Sequence, residues 1–309
     1  MADIKTVGII GFGALGIQFA CRLERDGVNI VVIADEARAE RYRRDGVLCN
    51  GKAYYPRVCT PEQARPVDLL IFATKADGLF GAMETAAGFV GPQTLLLSVL
   101  NGVTSEEQLS ERFGGGNVLY ATAQGTDAVK EGRVLVYHSG ASITLGERED
   151  GKPSARAQAV AAYLTAHGVN AIAVGDMLRR QWGKLMFNVG LNQACMVFEC
   201  DYAGIQREGK ARETMLAAMR EAQKIAALEG YMITGEEFDA WVAMADGFSP
   251  DGKPSMRQDG EAKRKSEVEL FSGTMIRLAK KHGTTVPVNE GLYARVKEME
   301  AAYDTILKL

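Results

Sequence analysis

"GIIGFGALG" runs from Gly8 to Gly16, and its reading decides the fold. Gly11, Gly13 and Gly16 stand in GxGxxG spacing, a weak signal alone, because a glycine turn opens other doubly wound folds too. The neighbours give it context. "TVGIIG" (6–11) reads as a buried strand, 14–26 as a helix, and "NIVVIA" (29–34) as a second strand that ends at Asp35. This strand–turn–helix–strand order, closed by an acid, is that of a dinucleotide-binding βαβ unit. Its glycines allow a tight turn and close backbone approach, so that residues Gly11, Phe12, Gly13, Ala14, Leu15 and Gly16 form a cofactor-binding loop. The helix that follows offers free N–H groups and a positive dipole end to a pyrophosphate. Asp35 is placed to accept both ribose hydroxyls and to repel a 2′-phosphate, which favours NAD(H) over NADP(H). Arg38, Arg41, Arg43 and Arg44 are the opposing evidence; they either meet a phosphate or form a solvated helix face with Glu36 and Glu40.

Outward from this unit, the first 175 residues alternate short apolar runs with helical stretches. "VDLLIFAT" (67–74) and "TLLLSVL" (94–100) suit strands buried on both faces of a parallel sheet, whereas 117–123, 133–139 and 142–147 resemble hairpins. From Asp176 onward the period is helical, with helices expected over 178–200, 208–230, 236–245, 258–282 and 288–308 and a turn-rich break at 246–255. The expected architecture is an α/β Rossmann-type dinucleotide-binding domain (1–175) followed by an all-α substrate and catalytic domain (176–309).

The chain has 309 residues, 47% hydrophobic and 24% charged, with a net charge of −3 and no basic block. That balance argues against nucleic acid and membrane surfaces as partners. No signal-peptide pattern opens the chain, and Cys21, Cys49, Cys59, Cys195 and Cys200 form no CxxC pair. A reducing, cytoplasmic location is therefore expected, with the thiols serving as small hydrophobes. His138, His167 and His282 stand apart, so no metal site and no Ser-His-Asp triad is expected.

"WGKLMFNVGLNQACMVF" (182–198) reads as a buried helix, yet Lys184, Asn188 and Asn192 recur every four residues and share one face. Unpaired polar groups on a buried face cost several kcal/mol, roughly 2–7 each for a neutral amide, so the stripe requires a reason. Bland readings are a snorkelling surface lysine and amides bonded between helices.

At this point a resemblance emerges. "GFGALG", "ATKAD" (73–77), "LNGV" (100–103), "WGKLMFNVGLNQ" (182–193), "SMRQD" (255–259) and "KSEVELFSG" (265–273) follow one another in the order seen in the ketopantoate reductase (2-dehydropantoate 2-reductase) family. The chain resembles that family over nearly its whole length. The resemblance implies a Rossmann domain, a helical domain like that of 6-phosphogluconate dehydrogenase, and an active site between them. It implies Lys184 as general acid with Glu267 as its catalytic partner. Asn188, Asn192, Ser255 and Asn101 are then substrate-binding, and Lys75 and Asn101 cofactor-side. The expected reaction is NAD(P)H-dependent reduction of 2-dehydropantoate to pantoate, in pantothenate biosynthesis, by a homodimer. Where family members that use NADP(H) often carry an arginine, this chain has Asp35.

Each role has an ordinary competitor. Glu267 beside the Val268, Phe271, Met275, Leu278 stripe reads equally as a solvated flank. Ser255 reads as the cap of a following helix, Asn101-Gly102 as a turn, and Lys75 as a surface charge. The alternative functions are a family paralogue reducing a different 2-keto acid and a dinucleotide-sensing protein without catalysis.

Overall fold

A computed structural model describes residues 4–125, 128–148 and 151–306. The chain divides into two compact units, 1–178 and 179–309. The first begins β1 (Thr6–Ile10), α1 (Ala14–Arg25), β2 (Asn29–Ile33), α2 (Glu36–Asp45). Three short strands follow, β3 (Val47–Cys49), β4 (Lys52–Tyr54) and β5 (Val58–Cys59), and then β6 (Leu69–Phe72), α3 (Leu79–Ala86), β7 (Leu95–Ser98) and α4 (Ser105–Phe113). The unit ends with β8 (Val118–Gln124), β9 (Val129–Glu131), β10 (Val134–Val136), β11 (Ser142–Gly146), α5 (Ala155–Ala166) and β12 (Ala171–Val174).

Eight strands form the main sheet in the order β12-β11-β8-β7-β6-β1-β2-β5, all pairs parallel except β8 with β11. Alternation along each strand feeds two cores. Ile9, Ile71 and Leu97 face α1 and α5, while Ile10, Phe72 and Leu96 face α3 and α4. Strands buried on both sides need apolar residues at every position, which is why their sequence runs are unbroken.

The hairpin expectation holds in part. Residues 142–147 pair antiparallel with β8, but 134–136 lie in a second sheet, β4-β3-β10-β9, where β10 forms a hairpin with β9 and runs parallel to β3 on its other edge. Both segments carry the same short β-pattern, and nothing local distinguishes a long-range partner from a neighbouring one.

The second unit is helical: α6 (Met177–Val197, whose first two residues belong to the first unit), α7 (Tyr202–Gln206), α8 (Lys210–Leu228), α9 (Gly235–Asp246), α10 (Ser255–Glu261), α11 (Thr274–Lys281) and α12 (Pro287–Ile306). Helix α6 is buried on every side between Gln181 and Met196 apart from Lys184, which is half-buried. Its glycines make room for neighbours. A Cβ on Gly190 would lie 2.4 Å from Met219 and 2.6 Å from the Met215 carbonyl of α8, and one on Gly183 would lie 2.9 Å from the Trp241 ring of α9.

The single helix expected over 258–282 is instead α10, a break, a π-helical turn (Glu269–Gly273) and α11. Lys263 takes the left-handed conformation (φ 50°) and ends α10. "EAKRKSE" (261–267) consists mostly of good helix formers, which hides that stop in the sequence.

Candidate active site

The cofactor candidates gather along one edge of the main sheet. Asn101, Lys75, the glycine turn and Asp35 follow β7, β6, β1 and β2, four adjacent parallel strands, at their carboxyl ends. Connections leave β1 in opposite directions on its two sides, and such a switch point is where open α/β sheets bind ligands. Gly11 has φ +95°, and a Cβ there would sit 2.5 Å from the backbone of Ala73 and Thr74. A Cβ on Gly16 would lie 1.9 Å from the Gly11 carbonyl. Gly13, by contrast, faces open space, with only the Ala73 carbonyl within 4 Å of a Cβ, at 3.9 Å.

Gly13 is also the N-cap of α1, and no side chain caps that helix. The first-turn amides of Leu15 and Gly16 have no hydrogen-bond partner among the described residues, which suits a phosphate. Nearby, the Thr74 hydroxyl is buried and unpartnered. Phe12 turns its ring into the core, 5.0 Å from Tyr42, so only its backbone belongs to the turn. The loop thus has the shape and the donors that a dinucleotide pyrophosphate requires.

Asp35 caps α2, accepting from the Arg38 amide at 2.8 Å and from the Arg38 guanidinium at 2.5 Å. Arg38 therefore stands beside Asp35 rather than pairing with Glu36 or Glu40, while Arg43 pairs with Glu36 at 3.1 Å.

Asn101 lies in the loop between β7 and α4, followed by Gly102 at φ +97°. Sequence reasoning missed the group beneath that loop, Glu106, which is fully buried. Its carboxylate accepts from the Ser105 hydroxyl at 2.8 Å and the Ala121 amide at 3.3 Å, and Ser105 in turn meets Ser98 at 2.8 Å. A buried carboxylate satisfied in this way fixes the loop from both ends. Lys75 is exposed and caps the short 3₁₀ turn Ala76–Gly78.

In the second unit Lys184, Asn188 and Asn192 fall on successive turns of α6. Asn188 and Asn192 are 8% and 4% exposed, yet neither amide bonds to any described residue. Next to them, the fully buried Gln193 donates to the Val189 carbonyl at 2.6 Å and reaches Asn289 of α12 at 3.5 Å.

Asn289 accepts from Ser272 at 2.9 Å and donates to Glu221 of α8 at 2.8 Å. Glu300, also on α12, accepts from the amide and hydroxyl of Ser266 at 2.7 and 2.6 Å. Two clamps to α12 therefore bracket Glu267, and one of them, Asn289, also touches α6. These supporting residues sit far apart in sequence and carry no motif, so only the fold assembles them. Ser255 is exposed and begins α10 rather than capping it; Pro254 holds the cap position. Helix α10 packs on the end of α6, where a Cβ on Gly260 would come 2.5 Å from the Met196 sulfur.

Sequence profiles described as ketopantoate reductase PanE/ApbA and its C-terminal part match residues 7–150 and 176–300. The chain belongs to the ketopantoate reductase family. A 2-dehydropantoate 2-reductase of Archaeoglobus fulgidus is 26% identical over 96% of this chain and 99% of its own. In fold, the family member is similar to a D-mandelate dehydrogenase solved with NADH and anilino(oxo)acetate (TM-score 0.87, 24% identity, 97% and 99% coverage). It is also similar to a PanE/ApbA family ketopantoate reductase from Ralstonia eutropha JMP134 (TM-score 0.84, 22% identity, 97% and 99% coverage). This ketopantoate reductase family member is an oxidoreductase with a nicotinamide dinucleotide as cofactor. Among the described residues no helix is long and apolar enough to cross a membrane, and no cluster of metal-ligating side chains occurs.

Proposed function

We propose that this chain reduces 2-dehydropantoate, a branched 2-keto acid, to pantoate and serves pantothenate biosynthesis. The observation that carries the reading is the pair of largely buried asparagines, Asn188 and Asn192, on one face of α6 with Lys184, whose amides make no hydrogen bond to another described residue. Amides left open in this way offer both donors and acceptors to a hydroxylated, carboxylated ligand.

When bound, the reduced nicotinamide supplies the hydride to the carbonyl carbon. Lys184 stabilises the developing alkoxide and gives it a proton. Glu267 holds the ammonium in place, and Ser255 and Asn101 contact the substrate. Residues 1–175 hold the dinucleotide through the Gly11–Gly16 loop, Lys75 and Asn101, and residues 176–309 hold the substrate. Asp35 on the ribose makes NADH the preferred form. The active species is a cytoplasmic homodimer, tested by light scattering at twice the 33.4 kDa chain mass.

The decisive experiment is steady-state reduction of 2-dehydropantoate with NADH and NADPH in parallel, beside a panel of straight-chain and aryl 2-keto acids. The reading expects 2-dehydropantoate to have the highest kcat/KM. A faster aryl or straight-chain acid would reassign the substrate. Dinucleotide binding with no turnover of any keto acid would leave a sensor.

A further inference from the structure

Helix α6 ends in a turn that brings together two cysteines which look unrelated in sequence. The Glu199 amide bonds to the Met196 carbonyl at 3.3 Å and the Cys200 amide to the Cys195 carbonyl at 3.0 Å, with Glu199 at φ 49°. This is the Schellman geometry, in which the third-last helical residue and the second residue beyond the cap meet side chain to side chain. The same hydrogen-bond pair closes α1, α5 and α8, where the residues so juxtaposed are Leu23 with Val28, Leu164 with Val169, and Ala226 with Tyr231. In α10 they are Asp259 and Arg264, which form a 2.9 Å ion pair. In α6 they are Cys195 and Cys200, both free thiols.

The surroundings separate the two thiols. Cys195 is fully buried, and its sulfur also lies 3.8 Å from the Asp201 carbonyl. Cys200 is half-buried and rests on the bare backbone of Gly204, where a Cβ would come 2.6 Å from its sulfur. Arg257 of α10 places its positive charge on the pair. The Arg257 Nε is buried with no hydrogen-bond partner among the described residues, and its carboxylate contacts, Glu199 at 3.7 Å and Glu261 at 3.4 Å, are long. Asp201 opposes it, and the Tyr202 phenol, itself pushed up by burial, stays neutral.

We propose that Cys195 and Cys200 form a thiol-modification site, in which Cys200 attacks a low-molecular-weight disulfide and Cys195 resolves the adduct into an intrachain disulfide across the end of α6. The neighbouring Cys195 thiol, with Arg257, draws the Cys200 thiol down to about 7, against burial and Asp201. Cys200 beside it and burial hold the Cys195 thiol up.

With glutathione disulfide as oxidant, the Cys200 thiolate bonds to one glutathione sulfur and breaks the S–S bond, releasing a glutathione thiolate. Adduct formation removes the negative charge that held the Cys195 proton. That proton passes to the departing thiolate, and Cys195 sulfur attacks Cys200 sulfur, expelling the second glutathione. Two protein thiols are oxidised and one glutathione disulfide is reduced to two thiols. The proposal does not depend on which keto acid the chain reduces.

The test is peptide mapping of the full wild-type chain after exposure to glutathione disulfide, with remaining thiols blocked by N-ethylmaleimide. The expected product is a Cys195–Cys200 disulfide without retained glutathione. Stable glutathione on Cys200, or two unoxidised thiols, would overturn it. Iodoacetamide labelling of Cys200 against pH supplies a second measurement on the same protein. Its midpoint is expected near 7, and a midpoint of about 8.5, that of an ordinary thiol, would also overturn it. Cys195→Ser should trap glutathione on Cys200 and raise that midpoint.

Discussion

Lys184 is the residue on which the proposed chemistry turns, and its surroundings make a clean test. It is half-buried on an otherwise buried helix, so Lys184→Ala removes a charge without opening a large core cavity. Turnover is expected to fall at least about a hundredfold, the usual scale for a general acid, while the dissociation constant for NADH, measured by fluorescence titration, stays within about twofold. Equal turnover would remove Lys184 from the mechanism. In the first unit, the 2.5 Å contact between Asp35 and Arg38 makes cofactor choice a competition between two adjacent charges. Asp35→Ser keeps a helix cap but releases the guanidinium for a 2′-phosphate. The expected result is a shift of about tenfold or more in relative kcat/KM toward NADPH, reversed by adding Arg38→Ala. A double variant that keeps the NADPH gain would show that Arg38 plays no part. A spacing of four residues was enough to read the Lys184, Asn188, Asn192 face, because helix geometry makes it local. The Arg38 contact was not legible, since an N-cap turn, and not the helix face, brings that side chain back.

Among the elements, those with a strong single period were legible and those defined by a partner were not. Strands β1, β2, β6 and β7 are apolar at nearly every position because both sheet faces are covered, and the sequence carries that directly. The small second sheet was lost, because β3 and β10 are 3 residues each and pair across more than 80 positions. The 258–282 region misled for the opposite reason. Its residues favour helix, but tertiary contacts bend it into α10, a break and a π-turn, held by Ser266 to Glu300 and Ser272 to Asn289. Asn289 is the common member of this network and the least replaceable. Asn289→Ala leaves the Ser272 hydroxyl and one Glu221 contact unanswered inside the helical unit, and removes the second contact of the Gln193 amide. Urea unfolding is expected to show a loss of about 2–4 kcal/mol, because orphaned buried polar groups cost more than the bonds themselves. A loss below about 0.5 kcal/mol would mean that the network does not brace the Glu267 segment.

Over the whole molecule, the two units make a prediction that neither makes alone. Each unit has its own core, so one cooperative unfolding step is not required. Both tryptophans, Trp182 and Trp241, lie in the second unit, packed on Tyr231 and Phe187 respectively. Tryptophan fluorescence therefore follows the helical unit only, whereas far-UV circular dichroism follows both. A ligand present at a hundred times its dissociation constant stabilises the unit that binds it by about 2.7 kcal/mol. For a unit of this size that corresponds to roughly 5–10 °C. If residues 1–175 hold the dinucleotide by themselves, NAD⁺ should raise the dichroism transition by that amount and leave the tryptophan transition within about 1 °C. A matched rise in both signals would mean that the helical unit also grips the dinucleotide. The cofactor site would then have to be extended beyond the Gly11–Gly16 loop, Asp35, Lys75 and Asn101 to residues past Arg179.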